Sequence, residues 1–167
     1  MTKVVTTSRD PVCGMDIVVA QSTLFSTHRG IVYHFCSAQC LERFNDIPEL
    51  YTGSQRIADI RPIRKRRKLR LAEGSESEIR RACQRVGDMM GVSKAATENG
   101  CLLVEYDLRQ TILSQIEAVA SAEGLKFNEG FHGIRRRLWK YLEAGELENA
   151  AHPSSGACCN RPPVKLR

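Results

Sequence analysis

Two cysteines four residues apart, at a point where a strand-like run gives way to a helical pattern, constrain this chain more than any other feature. Cys36 and Cys40 lie in the stretch 33–40, and their spacing places them one helical turn apart on one face. This arrangement is typical of metal chelation. Ser37 is suited to cap the helix, where backbone amides and the helix dipole lower thiol pKa values and favour the metal-binding thiolate.

A third thiol lies upstream at Cys13, next to Gly14 and two residues after Pro11. Pro and Gly at these positions favour a tight turn that directs the sulfur inward. The alternative is that all three cysteines are inert core residues, because free Cys is among the most buried residue types.

The segment around these cysteines predicts a hairpin followed by helices. Residues 16–25 and 31–35 are rich in β-forming residues and flank a turn signal at 28–30. Such a hairpin would carry one cysteine at its entrance and another at its exit, which brings thiols distant in sequence into one site. A helix is expected over residues 37–46, and Pro48 opens a short second turn of helix.

The order and spacing of rare residue types over residues 9–53 closely resemble the YHS domain, a small module found alone and fused to heavy-metal P-type ATPases. The matching positions are Asp10, Pro11, Val12, Cys13, Gly14, Met15, Gly30, Tyr33, His34, Phe35, Cys36, Ser37, Cys40, Phe44, Pro48 and Tyr51. The resemblance implies that Cys13, Cys36 and Cys40 are metal ligands.

Three thiolates leave the coordination open. A trigonal three-sulfur site would suit Cu(I), whereas a fourth ligand from His28, His34 or Met15 would complete a tetrahedral zinc site. Soft thiolates select copper or zinc over magnesium or calcium without deciding between the first two. The family's association with copper and silver pumps favours Cu(I), with Ag(I) and Zn(II) as alternatives.

A basic run follows the YHS-like segment. Residues 54–66 are expected to be a linker, and residues 61–70 hold much of the formal net charge of +6. The candidate contacts to nucleic acid or a partner are Arg64, Lys65, Arg66 and Arg67. The run has neither interleaved aromatics nor a nearby zinc-finger spacing, so a solvated linker is the favoured interpretation.

Residues 67–128 predict a second domain of alternating strands and helices. Strands are expected over 68–72, 92–97, 101–106 and from 125, and helices over 77–90 and 108–122. Asn99 and Gly100 form the expected hairpin turn. The order β-α-β-β-α-β is that of the ferredoxin-like fold, so the whole chain is expected to be α+β.

Residues 91–95 and 103–107 also resemble the heavy-metal-associated domain of copper chaperones. The Cys-x-x-Cys motif of that family is replaced here by residues 74–78, so its metal site is not expected. Ser75 and Glu78 instead fit a capping box. Cys83 and Cys101 are expected in the core rather than at a metal.

The chain is expected to end with a helix over 129–149 and a flexible tail over 150–167. Arg135, Arg136 and Arg137 are expected to face solvent, and Trp139 either packs on the sheet or anchors a partner. The tail holds Cys158 and Cys159, which with neighbouring His152 form a second candidate site for a soft ion.

These features together predict a soft-metal-binding protein rather than an enzyme. The expected role is a Cu(I) chaperone or sequestration factor that acts in metal homeostasis or resistance with a heavy-metal P-type ATPase or another metal-handling protein. Two alternatives are a metal-responsive regulator that binds nucleic acid and a structural zinc module for protein contacts. No nucleophile and base pairing, phosphate-binding glycine loop or converging carboxylates point to catalysis.

Location and membrane contact are expected from what the sequence lacks. No apolar run approaches the roughly 20 residues that span a bilayer, so membrane insertion is not expected. The first ten residues have no signal-peptide core, which predicts a cytoplasmic protein. Seven cysteines, an odd number, favour metal or redox chemistry over a disulfide framework.

Overall fold

The structure is a computed structural model that describes residues 6–52 and 61–152. Eight strands and five α-helices follow one another in this part of the chain. They are β1 (Thr7–Arg9), β2 (Asp16–Val18), β3 (Phe25–His28), β4 (Ile31–His34), α1 (Ala38–Asp46), α2 (Glu49–Thr52), β5 (Arg64–Glu73), α3 (Glu76–Gly87), β6 (Val92–Glu98), β7 (Cys101–Asp107), α4 (Leu113–Ala122), β8 (Lys126–Phe127) and α5 (Gly130–Ala151).

The first four strands form two separate antiparallel hairpins, β1 with β2 and β3 with β4. Arg29 and Gly30, at the turn between β3 and β4, have φ angles of 51° and 80°, the left-handed conformations that a tight two-residue hairpin requires. The turn predicted at 28–30 is confirmed. The single strand predicted over 16–25 is wrong, because β2 pairs with β1 and the 3-10 turn Val19–Gln21 separates it from β3.

Helix α1 closes the small core of this N-terminal module, which we define as residues 6–52. Phe44 is fully buried, and its ring lies 4.9 Å from that of Tyr33 and 5.1 Å from that of Phe35 between centroids. Val12 and Cys40 complete the buried cluster. Cys40, one of the candidate metal ligands, is therefore also a residue of this small core.

Strands β5 to β8 form one antiparallel four-stranded sheet in the order β6-β7-β5-β8. Helix α3 follows β5 and α4 follows β7, which is the β-α-β-β-α-β topology of the ferredoxin-like fold. The predicted topology and the α+β class are therefore confirmed. Asn99 and Gly100 have φ angles of 49° and 68° at the expected turn.

Several ends of elements in this sheet domain, defined as residues 61–127, differ from those predicted. Strand β5 begins at Arg64 rather than at residue 68, inside the stretch expected to be a linker. Helix α3 begins with the predicted capping box but ends at Gly87, so Met90 lies in the turn beyond it. Helix α4 begins at Leu113, because the chain first turns around the Asp107 side chain, which accepts hydrogen bonds from two backbone amides.

Helix α5 extends over 22 residues and covers part of the sheet domain. Arg136 is buried between the carboxylates of Glu117 and Glu129, at 3.0 and 2.8 Å, so the expectation that it faces solvent is wrong. A buried guanidinium is tolerated here because it has ionic partners. Trp139 packs against the core, with the Arg135 guanidinium 4.6 Å from its ring centroid.

The N-terminal module and the sheet domain are in direct contact. Leu50 of α2 belongs to the main core beneath the sheet. Buried Arg43 donates a hydrogen bond of 3.1 Å from Nη2 to the carbonyl of Leu108, and the Tyr51 hydroxyl donates to the carbonyl of Arg109. Within residues 6–52 and 61–152, none of the helices is both long and apolar enough to cross a membrane.

Candidate metal centre

The structure brings the three predicted cysteines together. Cys36 Sγ lies 3.5 Å from Cys13 Sγ and 3.5 Å from Cys40 Sγ. The carboxylate of Asp10 joins them, so that one ligand atom from each of the four residues lies within 4.8 Å of all the others. Residues from three separate segments thus converge on one point between the β1-β2 hairpin and the start of α1.

A tight loop between β1 and β2 presents Cys13. The amide of Gly14 donates to the carbonyl of Asp10 at 2.9 Å, and the amide of Asp10 donates to the carbonyl of Met15 at 2.8 Å. Gly14 has a φ of 79°, which only glycine adopts at little cost. Arg9 Nε also donates to the Gly14 carbonyl. The loop is therefore fixed by its own backbone rather than by side-chain packing alone.

The carboxylate of Asp10 ties this loop to the segment that carries the second cysteine. Its Oδ1 accepts hydrogen bonds from the amides of Val12, at 2.8 Å, and Cys13, at 3.3 Å. Its Oδ2 accepts one from the amide of Cys36, at 2.9 Å. Asp10 is fully buried, so these three amides replace water as its hydrogen-bond partners. They also hold the loop that carries Cys13 next to the segment that carries Cys36.

The charge of Asp10 is stabilised where it lies. Burial alone would favour the neutral acid, but the hydrogen bonds from the amides of Cys36 and Val12 outweigh it and lower the pKa of the carboxyl below its usual value. Asp10 is therefore ionised at neutral pH, and its negative charge faces the three sulfurs.

Two of the thiols, Cys13 and Cys40, hold their protons more strongly than an ordinary cysteine does. Burial raises the pKa of Cys13 to about 11, and burial, with the Asp10 charge nearby, also raises the pKa of Cys40. Ser37 does cap α1 as predicted, with its side chain accepting from the amide of Cys40 at 3.2 Å. For Cys40, the expectation that the helix terminus lowers the thiol pKa is nevertheless wrong, since desolvation exceeds the effect of the cap.

The cluster fits a soft metal ion that enters from one side. Cys40 is fully buried, Cys13 is half-buried and Cys36 is exposed. Two sulfurs bound to one tetrahedral metal at bonds of about 2.3 Å lie about 3.8 Å apart. The observed 3.5 Å separations are a few tenths of an ångström shorter, so small rotations of the side chains would admit the ion.

The two histidine candidates lie outside the cluster. His28 and His34 are not among the residues that converge there, in the part of the chain that the structure describes. His28 Nε2 lies 3.8 Å from a Glu49 carboxylate oxygen, and the His34 ring packs near Phe25. Met15 follows the cysteine loop, but its side chain is 58% exposed.

Among the described residues, Cys83 and Cys101 lie outside this cluster. Cys101 is buried in β7, and Cys83 is half-buried on α3 against the main core, in agreement with their predicted core positions. Cys158 and Cys159, together with the tail that carries them, lie outside the described residues.

Sequence reasoning missed two features of the site. Asp10 stood in the recognised motif, but its bonding to amides in two segments follows from the folded chain alone. Met90 was placed inside a helix, whereas its Sδ lies 3.1 Å from Cys40 Sγ. No local signal could have revealed this second contact, because it joins residues 50 positions apart in different domains.

Three of the four candidate cations in the basic run are paired with carboxylates. Lys65 Nζ contacts Glu146 at 2.5 Å, and Arg66 Nε contacts Glu105 at 3.4 Å. Arg67 Nη2 lies 3.2 Å from Glu143, which is buried and also accepts from the hydroxyl of Tyr106. Arg64 is exposed at the start of β5. This surface therefore offers fewer free cations to a phosphate backbone than the sequence suggests.

The fold and the site define an α+β protein with a thiol cluster of the kind that binds soft metals. Residues 8–55 match the family model of the YHS domain, which confirms the resemblance found in the sequence for this part of the chain. No curated protein and no solved structure matches the chain.

Proposed function

We propose that this protein binds Cu(I) in the cytoplasm and carries or sequesters it as part of copper homeostasis or resistance. The observation that carries the proposal is the convergence of three sulfurs at 3.5 Å spacings, with one thiol exposed. The YHS match supports it, because that family is associated with heavy-metal pumps. The metal is cargo, so the proposal needs no catalytic step.

The donor set favours a soft ion. Thiolates select Cu(I) or zinc over magnesium and calcium, and a site with three sulfurs can hold Cu(I) in trigonal coordination. Ag(I), which is also soft and monovalent, is expected to bind in the same way. Zn(II) would need a fourth ligand to reach the closed coordination of a structural site.

Exposure at one edge of the cluster supports transfer by ligand exchange. A thiolate of a partner protein would form a bond to the metal as the bond to Cys36 breaks, and the released Cys36 thiolate would take up a proton from water. Cys13 and Cys40 would then leave in turn. The proposed partner is a heavy-metal P-type ATPase or another metal-handling protein with surface cysteines.

The second domain is proposed to serve docking. Its ferredoxin-like topology agrees with the resemblance to heavy-metal-associated domains, which stays a prediction. Residues 74–78, which comprise its strand-to-helix loop and the start of α3, hold no cysteine, so this domain is not proposed to bind the cargo by itself. A role as a nucleic-acid-binding regulator receives less support, because Lys65, Arg66 and Arg67 are paired with carboxylates.

Competition titrations of reduced protein with Cu(I) and Zn(II) test the proposal. The wild type is expected to bind one Cu(I) tightly, and a variant with Cys13, Cys36 and Cys40 changed to Ser is expected to lose that binding. Cys83→Ser is the matched control, since it removes a half-buried thiol outside the cluster. Equal Cu(I) affinity of the wild type and the triple variant would refute the proposal. Retained stoichiometric Zn(II), with unfolding on chelation, would favour a structural zinc module instead.

A further inference from the structure

A methionine from the sheet domain reaches the thiol cluster of the N-terminal module. Met90 Sδ lies 3.1 Å from Cys40 Sγ, so the two sulfurs must move apart by several tenths of an ångström to reach the separation of about 3.8 Å at which both could bind one ion. Cys40 itself is fully buried, and Met90 is half-buried. Met90 packs against the core of the N-terminal module, although it belongs to the turn after α3.

Both backbone polar groups of Met90 are bound by one side chain of α1. Gln39 Nε2 donates to the carbonyl of Met90 at 3.0 Å, and the amide of Met90 donates to Gln39 Oε1 at 3.2 Å. Gln39 directly precedes Cys40, so the pair of hydrogen bonds fixes the methionine relative to the buried thiol. Because the Gln39 side-chain amide both donates to and accepts from the same backbone residue, it fixes the position of Met90 in two directions.

The turn that carries Met90 is also fixed from the sheet side. Gly91 has a φ of 82°, and a Cβ added there would come within 2.5 Å of Gln110 Cβ. Its carbonyl accepts a hydrogen bond of 2.8 Å from the amide of Asp107. The turn is thus held between the end of β7 and helix α1, which leaves the methionine little freedom to lie elsewhere.

We propose that Met90 supplies a fourth, thioether ligand to the soft ion held by Cys13, Cys36 and Cys40. This inference rests on the proposed function of the cysteine cluster. It makes the metal centre a junction, with three ligands from the N-terminal module and one from the sheet domain. Thioether sulfur is a soft donor that suits Cu(I), and methionine is not among the usual zinc ligands, so Met90 would also favour the monovalent ion.

Asp10 is the other group near enough to bind the ion, but its carboxylate oxygens already accept hydrogen bonds. Three backbone amides donate to its carboxylate, and withdrawing it would leave those amides buried without partners. A carboxylate oxygen is also a harder donor than a soft ion prefers. Asp10 is therefore assigned to positioning the cysteines, and Met90 to the metal.

Selenium spectroscopy tests the ligand directly. Full-length protein containing selenomethionine is loaded with Cu(I), and absorption at the selenium edge is recorded for the wild type and for Met90→Leu. A copper neighbour at bonding distance is expected around selenium in the wild type and should vanish in the variant, which keeps the other methionines. Selenium without a copper neighbour in copper-loaded wild type would overturn the inference.

Affinity measurements provide the second readout. Met90→Leu keeps the apolar volume and removes the sulfur, and it is expected to weaken Cu(I) binding by about tenfold or more while leaving Zn(II) binding nearly unchanged. Met89→Leu is the matched control, because Met89 packs on the core of the sheet domain. Equal Cu(I) affinities for the two variants would overturn the role of Met90.

The triple-serine variant separates this inference from the proposed function. If the wild type binds Cu(I), the triple variant does not, and Met90→Leu binds like the wild type, then the cysteine site stands and Met90 is only a packing residue. If the triple variant binds as well as the wild type, the cysteine site itself fails, and the role of Met90 fails with it.

Discussion

The side chain of Asp10 shows how one residue can organise a site without holding the metal. Its buried carboxylate joins the loop that carries Cys13 to the amide of Cys36. Asp10→Ala would leave three amides without an acceptor in a small core, and we expect it to lower the free energy of unfolding by about 2–4 kcal/mol. Urea unfolding monitored by circular dichroism measures the change.

Two further variants give the Asp10 experiment its controls. Asp16→Ala changes an exposed carboxylate near the same hairpin and should have little effect. Asp10→Asn keeps the shape and an acceptor oxygen for the amides of Val12 and Cys13, but turns its NH2 group towards the amide of Cys36, so we expect a loss smaller than that of Asp10→Ala. Wild-type stability and Cu(I) affinity in Asp10→Ala would contradict the assigned role.

The raised pKa values of the thiols make metal binding depend on pH. Cys13 has a pKa of about 11, and that of Cys40 is also raised, so both thiols are protonated in the metal-free protein at neutral pH. Binding as thiolates must release both protons, and affinity therefore falls as pH falls. We expect a loss of at least about a hundredfold in Cu(I) affinity for each pH unit, tenfold for each proton released.

Competition against a Cu(I) chelator, corrected for its own protonation and repeated between about pH 6 and pH 8, measures this slope. The Cys13→Ser variant should show a shallower dependence, because it has one proton fewer to release. A Cu(I) affinity that does not change over this pH range would indicate that neither Cys13 nor Cys40 binds the ion as a thiolate.

At the scale of the elements, the sequence predicted those features that depend on neighbouring residues. Ser37 caps α1, Ser75 and Glu78 form a capping box, and Asn99 and Gly100 turn a hairpin. Each of these signals lies within a few positions along the chain. The β-α-β-β-α-β order was likewise readable, because each strand and helix carries its own periodicity.

Features that depend on distant partners were not readable in this way. The β-rich stretch 16–25 did not reveal that its first part pairs with β1 and its end with β4. Arg136 looked like one of three solvated arginines, but its burial depends on Glu117 of α4. The thiols were brought together as predicted, whereas Asp10 and Met90 act through contacts that only the folded chain creates.

At the scale of the whole molecule, the N-terminal module and the sheet domain are expected to unfold as one unit. Leu50 packs into the core under the sheet, and buried Arg43 bonds to the carbonyl of Leu108. Opening this junction would leave the Arg43 charge without that partner, which is costly in a buried position. Binding at the cysteine cluster should therefore stabilise the sheet domain as well.

The single tryptophan of the chain, Trp139, makes this coupling measurable, because it lies on α5 against the sheet domain. A ligand at one hundred times its dissociation constant stabilises the folded state by about 2.7 kcal/mol. If the free energy of unfolding falls by about 2 kcal/mol per molar urea, Ag(I), used as a redox-inert probe, should raise the urea midpoint reported by Trp139 by about 1.4 M.

The triple-serine variant of Cys13, Cys36 and Cys40 should show no such shift, and Met90→Leu should show a smaller one, because it loses the ligand from the sheet domain. Two separate transitions, with the Trp139 signal unchanged by the metal, would mean that the domains unfold independently. The metal would then stabilise the N-terminal module alone. A metal-induced rise in the urea midpoint of both domains would instead show that the occupied site links them. Removal of the ion by a partner protein would then also loosen the contact between α1 and the turn that carries Met90.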